Sequence, residues 1–495
     1  MNSNEHANDQ VDVPDVSAEN PISEKWVFVG AHRPPVPRAL VDYMTSQWEQ
    51  ITIDTGVHQA AAHCARRRAR LSEALEGRTL VVPTGSFKVR SNDTDFRFRP
   101  GSDFFWLTSS HEPDGVLIVQ PNGQATLYIE LGGDPSTHRF FTDSQYGELW
   151  TGRRPTLDET QQHLSLSTRP RSELADVLKS LSGQVAVLRG YDRLVDQTIG
   201  KNDDDEALAN TLAHLRLTKD DYEIARLQEA VDATVLGFED VVRSLPSAIG
   251  RGERVIEGIF NLRARVEGND VGYSTIAASG SHATVLHWTK NDGAVIPGEL
   301  LLLDAGVECH DLYTADVTRT LPISGAFTDA QRTLYNLVLK AQEAGIAAVK
   351  PGAKFMDAHE AAMAVLAQGL VELGILSNDE DGALPLAQLH RRYTLHGTSH
   401  MLGIDVHDCA AARNERYLGE LEPGYVLTVE PGLYFQANDL TVPQHFRGIG
   451  IRIEDDVLVT KDGNVVLSAA LPRDPEAIES WMANIWAASN LDLHL

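Results

Sequence analysis

Cysteine is scarce in this chain: there are three in 495 residues, Cys64, Cys309 and Cys409. They are odd in number and far apart, and no CxxC pair occurs. That excludes a disulfide framework and a thiolate zinc site. Long apolar runs are missing too. No stretch approaches the roughly 18 residues that a membrane-spanning helix needs. The N-terminus lacks the basic-then-apolar order of a secretory signal. Positive charge is in deficit, with 43 Lys and Arg against 70 Asp and Glu, a formal net charge of −27. Such a chain has no basic face to displace counterions from a nucleic acid or to seat on anionic lipid. Short-period repeats of the solenoid kind are absent. The expectation is a cytoplasmic protein with no nucleic-acid and no membrane partner.

What remains is a long chain with 42% apolar residues, enough for two globular cores. Residues 1–24 have no Lys or Arg but carry Glu5, Asp9, Asp12, Asp15, Glu19 and Glu24, the composition of a disordered acidic tail. Strand and helix signals then alternate. Ala60 to Leu75 reads as a helix. Thr79–Pro83, Gly115–Gln120, Ala125–Glu130 and Gln184–Arg189 read as strands, the middle two joined by the turn residues Pro121–Gln124. This is an α/β domain without a catalytic constellation. Thr218–Asp221 resembles a capping box opening a helix. A second helix is expected over Glu253–Val266, and others over Asp329–Val349, Phe355–Leu373 and Pro475–Trp486. Between them lie Gly-punctuated strands, so the second half is α+β.

The chemistry concentrates in that half. Glu299–Thr320 reads ELLLLDAGVECHDLYTADVTRT. Four leucines, Leu300–Leu303, run into Asp304, and Asp316 follows twelve positions later. A charge beside a buried apolar run is costly unless it is paired or binds a metal. One extended strand would hold the two carboxylates tens of ångströms apart. Cooperation needs a β-hairpin turning over the polar stretch Glu308–Leu312. Taken alone, the stretch is equally well a buried strand whose Asp304 caps a turn.

Three further pieces shift that balance. His396-Gly-Thr-Ser-His400 is followed by His407. Gly397 stands where an HExxH zinc helix needs its Glu, so that motif is excluded. Glu430 ends the apolar strand Val426–Val429 and is stopped by Pro431-Gly432. In Ile449–Asp455, alternation puts three isoleucines on one face and Arg452 with Glu454 on the other. Four carboxylates and an imidazole form a hard, oxygen-rich set suited to Mn²⁺ or another divalent ion. The count exceeds one metal's usual share, whereas two ions about 3.5–4 Å apart use all of them. Such a pair acidifies a shared water to a nucleophilic hydroxide and polarises a carbonyl.

The order Asp304, Asp316, His400, Glu430, Glu454 resembles the five metal ligands of the pita-bread metallopeptidases. The words LLLDAG, ADVTRT, HGTSHMLGIDVHD, LTVEPGLY and RGIGIRIEDD resemble those of the aminopeptidase P (Xaa-Pro aminopeptidase) family, and the likeness runs from about residue 35 to 475. Arg97–Glu112 and Glu148–Arg154 are similar to that family's N-terminal domain. The resemblance implies an α+β chain: an acidic tail (1–30), a smaller α/β N-terminal domain (31–215) and a C-terminal pita-bread catalytic domain (216–495). It implies two divalent ions, Mn²⁺ first, with Zn²⁺ or Co²⁺ as alternatives. Asp304 would hold one metal, His400 and Glu430 the other, and Asp316 and Glu454 both. His287 would contact substrate near the scissile bond. His396 and His407 would line the pocket, with His407 stabilising the oxyanion. Glu430 would also manage the proton of the attacking water. Tyr434 and Arg452 would shape the far side, and Trp150 would reach a neighbouring subunit's site.

The implied activity is removal of the N-terminal residue from peptides with proline in second position, by a homodimer or homotetramer. One feature departs from the family pattern: the two aspartates are spaced one residue further apart. Because an insertion inside a strand would turn every later side chain over, and both flanks are intact, the extra residue is expected in the loop around Cys309–Leu312. Prolidase, which takes dipeptides only, shares the ligands and is the nearest alternative. Creatinase-like enzymes and non-catalytic pita-bread binding modules lack a full set.

Overall fold

In a computed structural model of the chain, the described residues are 26–27, 36–49, 51–377, 388–412 and 419–488. The acidic tail expected over residues 1–30 lies outside them, apart from Trp26–Val27.

The N-terminal half is built on a five-stranded mixed sheet. Its strands are β1 (Thr79–Pro83), β2 (Val116–Val119), β3 (Ala125–Ile129), β4 (Ser167–Pro170) and β5 (Val185–Val187), in the order β4-β3-β2-β1-β5. β1 and β2 are buried at every position, as continuous Val/Leu/Ile runs require when both faces are covered. Helix α1 (Ala61–Ala74) packs there, together with α2 (Ser102–Thr108). A helix α3 (Asp204–Leu217) leads into the long helix α4 (Asp221–Ala248). The cap of α4 corrects the sequence reading. The capping residue is Asp220, not Thr218: its carboxylate accepts the amides of Tyr222 and Glu223, and Glu223 bonds back to the amide of Asp220. An aspartate one turn before a glutamate makes the same reciprocal pair that threonine would.

The C-terminal half pairs α4 with α5 (Glu253–Glu267), and α6 (Asp329–Ala348) with α7 (Asp357–Glu372), around antiparallel strands. β6 (Ile276–Ser279), β7 (Leu300–Ala305) and β8 (Val317–Pro322) form one sheet, β7 in the middle. β9 (Val426–Val429) pairs with β12 (Asp455–Val459), and β13 (Asn464–Val466) extends that sheet. β10 (Gly432–Tyr434) pairs with β11 (Gly450–Arg452). A last helix, α8 (Pro475–Ala488), closes the core through Ile478 and Met482. Among the described residues no helix is long and apolar enough to cross a membrane.

The β7–β8 hairpin has the register Leu303↔Arg319 and Asp304↔Thr318. Beyond the short strand Val307–Glu308 it turns at Cys309–Leu312, where the Leu312 amide bonds the Cys309 carbonyl at 2.9 Å. Leu312 takes φ +64°, in the left-handed region, where the chain reverses. Although its sequence is polar, the turn is covered. Cys309 and Leu312 are buried in a cluster shared with Trp106 and Leu107 of the N-terminal half. Asp311 accepts from the Tyr222 hydroxyl at 2.5 Å, and Glu308 accepts from Arg99 Nε at 2.6 Å. Arg99 also donates to the Ile404 carbonyl at 2.8 Å. One guanidinium thus ties the hairpin that carries two aspartates to the loop that carries two histidines.

Candidate active site

The residues singled out by sequence converge from five segments. Asp304 lies inside β7 and Asp316 just before β8. Glu430 follows β9, Glu454 falls between β11 and β12, and His400 sits on an irregular stretch beside β9. That stretch is held in register by the Thr428 amide on the His400 carbonyl and the Glu430 amide on the Thr398 carbonyl. Placing the acids at strand ends lets their side chains turn inward while the strands keep their ladder bonds.

Distances define one pocket. His400 Nε2 is 3.2 Å from Asp316 Oδ2 and 3.5 Å from Glu430 Oε1. Asp316, His400 and Glu454 each offer a ligand atom, all within 4.8 Å of one another. Asp304 Oδ2 accepts from Arg452 Nη2 at 2.6 Å. Glu454 Oε2 accepts from the Thr318 hydroxyl at 2.6 Å. Beside the acids, Tyr434 Oη accepts from Arg452 Nη1 at 2.9 Å and lies 2.7 Å from His396 Nε2. His396 Nδ1 is 3.6 Å from Glu430 Oε2. The His407 ring stands edge-on to that of His400, with centroids 4.4 Å apart.

His287 is exposed on the loop after β6, close enough to His396 to help lower that imidazole's pKa. Trp150 is outside the cluster. It lies in the N-terminal half, 53% exposed, its indole donating to the Phe141 carbonyl at 2.8 Å.

Sequence reasoning missed Tyr273. Its hydroxyl lies 2.6 Å from Asp304 Oδ1 and 2.5 Å from Asp316 Oδ1, between the two aspartates. Nothing local marks it, because it precedes β6 and reaches both acids only through the packing of that segment.

The electrostatics follow from burial. Desolvation pushes Glu430 up to about 7, with repulsion from Asp316 adding to it and His400 opposing it. Desolvation, then Asp316, Glu430 and Asp304, raises Glu454 well above the carboxylate range. Burial disfavours a charged His400, but its bond to Asp316 and the charge of Glu430 outweigh burial and raise it to about 9. Burial and the Arg452 charge push His396 down to about 4, leaving a neutral imidazole at neutral pH. The pocket is a crowd of hard oxygen donors short of positive charge, and that fits divalent cations.

The model for metallopeptidase family M24 matches residues 225–461, and that for the aminopeptidase P N-terminal domain matches residues 64–188. Xaa-Pro aminopeptidase 1 of Streptomyces coelicolor is 52% identical over 462 residues, covering 91% of this chain and 93% of that protein. The chain belongs to the aminopeptidase P family. Its pita-bread half and its N-terminal half both match solved aminopeptidase P structures. The Pseudomonas aeruginosa aminopeptidase PepP superposes with a TM-score of 0.78 at 30% identity, covering 87% of this chain and all of that one. Zinc-substituted Escherichia coli aminopeptidase P in complex with product gives 0.76 at 31% identity, covering 86% and 99%. Membership in this metallopeptidase family implies divalent metal ions, and the oxygen-rich pocket has the donors to suit them.

Proposed function

We propose that this chain is an Xaa-Pro aminopeptidase, hydrolysing the first peptide bond of peptides with proline in second position. The observation that carries this reading is the convergence of three buried carboxylates (Asp304, Asp316 and Glu454), the half-buried Glu430 and His400 beside Tyr434, Arg452, His396 and His407. Asp304, Asp316, His400, Glu430 and Glu454 would hold two divalent ions, Mn²⁺ by preference, with Zn²⁺ or Co²⁺ as alternatives. When bound, such ions supply a nucleophilic water at neutral pH and polarise the scissile carbonyl.

The chain's own groups do the rest. Tyr273 fixes the facing edges of Asp304 and Asp316. Arg452 forks between Asp304 and Tyr434, holding both against the pocket wall. Glu430 takes a proton from the attacking water and passes it to the departing prolyl nitrogen. His396, neutral and bonded to Tyr434, stands next to Glu430 as the relay for that transfer. His407 faces the site to donate to the oxyanion, and His287 contacts substrate near the scissile bond. Trp150, exposed on the N-terminal half, is read as reaching a neighbouring subunit's site in a homodimer or homotetramer. The location proposed is cytoplasmic.

A series of Xaa-Pro dipeptides, Xaa-Pro-Xaa tripeptides and longer peptides tests the reading. Cleavage that extends to tripeptides and beyond supports it. Cleavage of dipeptides alone overturns it in favour of a prolidase.

A further inference from the structure

Glu253 is completely buried at the first position of α5. Its carboxylate has four acceptor sites, and all four are used. Oε1 accepts the Ser279 amide at 2.7 Å and His282 Nδ1 at 2.9 Å. Oε2 accepts the Trp288 indole at 2.8 Å and the Gly293 amide at 2.7 Å. No neutral side chain of this size offers four acceptors.

The four donors share one property: they bracket and line the loop between β6 and β7. Ser279 is the last residue of β6, Gly293 lies near the loop's return, and His282 and Trp288 project from its middle. The return is bonded reciprocally, because the Glu253 amide donates to the Gly293 carbonyl at 3.0 Å. Gly252, at φ +97°, makes that approach possible: a Cβ there would lie 2.7 Å from the Gly293 carbonyl oxygen. The His282 and Trp288 rings stack at 3.8 Å. Leu286 and Trp288 pack against the apolar cluster that contains Tyr434. His287 stands between these two anchored neighbours, exposed and near enough to His396 to act on its charge.

We propose that Glu253 is the positioning residue for His287: it fixes the 279–293 loop so that His287 is presented to the substrate. This rests on the reading of His287 as a substrate contact.

The test compares Glu253→Gln, His287→Ala and the double variant in the full-length, metal-loaded protein. Hydrogen exchange of the 279–293 amides is followed alongside tripeptide cleavage. Glutamine offers two acceptors where four donors converge. The single Glu253→Gln change should therefore speed exchange at Ser279 and Gly293 and lower kcat/KM by about 10²-fold, the usual loss for a misplaced group. In the His287→Ala background the same change should cost less than about threefold. Should Glu253→Gln fail to fold, Trp288→Phe removes one donor and leaves the carboxylate, and it should show the same non-additivity on a smaller scale. Multiplicative losses, or an unchanged loop exchange, overturn the role of Glu253. Unchanged cleavage in His287→Ala overturns the reading of His287 itself and this role with it, which separates the two failures.

Discussion

Asp304 and Arg452 meet at 2.6 Å although 148 residues separate them. The contact joins the β7–β8 hairpin to β11 at the floor of the pocket, and the other arm of the guanidinium holds Tyr434. Lysine keeps the charge but is a point donor that cannot fork across both partners. Arg452→Lys should lower turnover by about 10²-fold through loss of alignment, with the melting temperature close to that of the parent. Turnover within about twofold of the parent would show that the fork is not needed.

Glu430 lies 3.5 Å from His400 and 3.6 Å from His396, between the two imidazoles. Glu430→Gln keeps the shape and removes the proton acceptor. General acid–base groups contribute roughly 10²–10⁴-fold, so turnover should fall by that order in protein whose circular dichroism and melting are unchanged. A folded, fully active Glu430→Gln protein would remove Glu430 from the proton pathway.

The join between the two halves rests on Asp408. This buried carboxylate accepts from Arg216 and, at 3.1 Å, from Lys219, while Arg216 also bonds Asp103 and Asp405. Burial would raise the Asp408 pKa, but the two cations more than offset it and hold it below the usual range. Asp408→Asn leaves buried cations without their charge partner. It should destabilise the protein by about 3–5 kcal/mol, measured by guanidinium unfolding. A loss below about 1 kcal/mol would place the stability of the join elsewhere.

An acid-sensitive contact lies in the N-terminal half at Glu159. Burial opposes its charge, but the amides of Ile53 and Thr156 and the fork of Arg153 hold its carboxyl down, from 4.5 to about 2. A depressed carboxyl contributes stability that is present above its unfolded pKa and lost as pH falls through the folded one. Glu159→Gln should therefore be less stable than the parent at pH 7, and the gap should close between about pH 4.5 and 2. Thermal melts across that window check it, and a gap independent of pH would contradict it.

Much of the site was legible because its acids interrupt apolar strands. Asp304 after four leucines, Glu430 after Val426–Val429, and Arg452 with Glu454 among isoleucines each break a pattern that burial would otherwise keep. Tyr273 breaks no pattern. Its role comes from contacts 31 and 43 residues away, which no local rule reveals. Glu253 likewise reads as an ordinary first-turn acid until its four partners are seen. The Cys309–Leu312 turn was legible from its polar residues, but its burial was not, because its cover comes from the other half of the chain. At the start of α4, two residues that both suit a cap compete, and the register between Asp220 and Glu223 decides.

Stripping the full-length protein of metal and assaying release of the first amino acid from an Xaa-Pro-Xaa peptide, before and after adding Mn²⁺, tests the centre of the account. Release should be absent from the stripped protein, recover with Mn²⁺, and be absent when the second residue is not proline. Undiminished release without metal, or none with any divalent ion in folded protein, would contradict it.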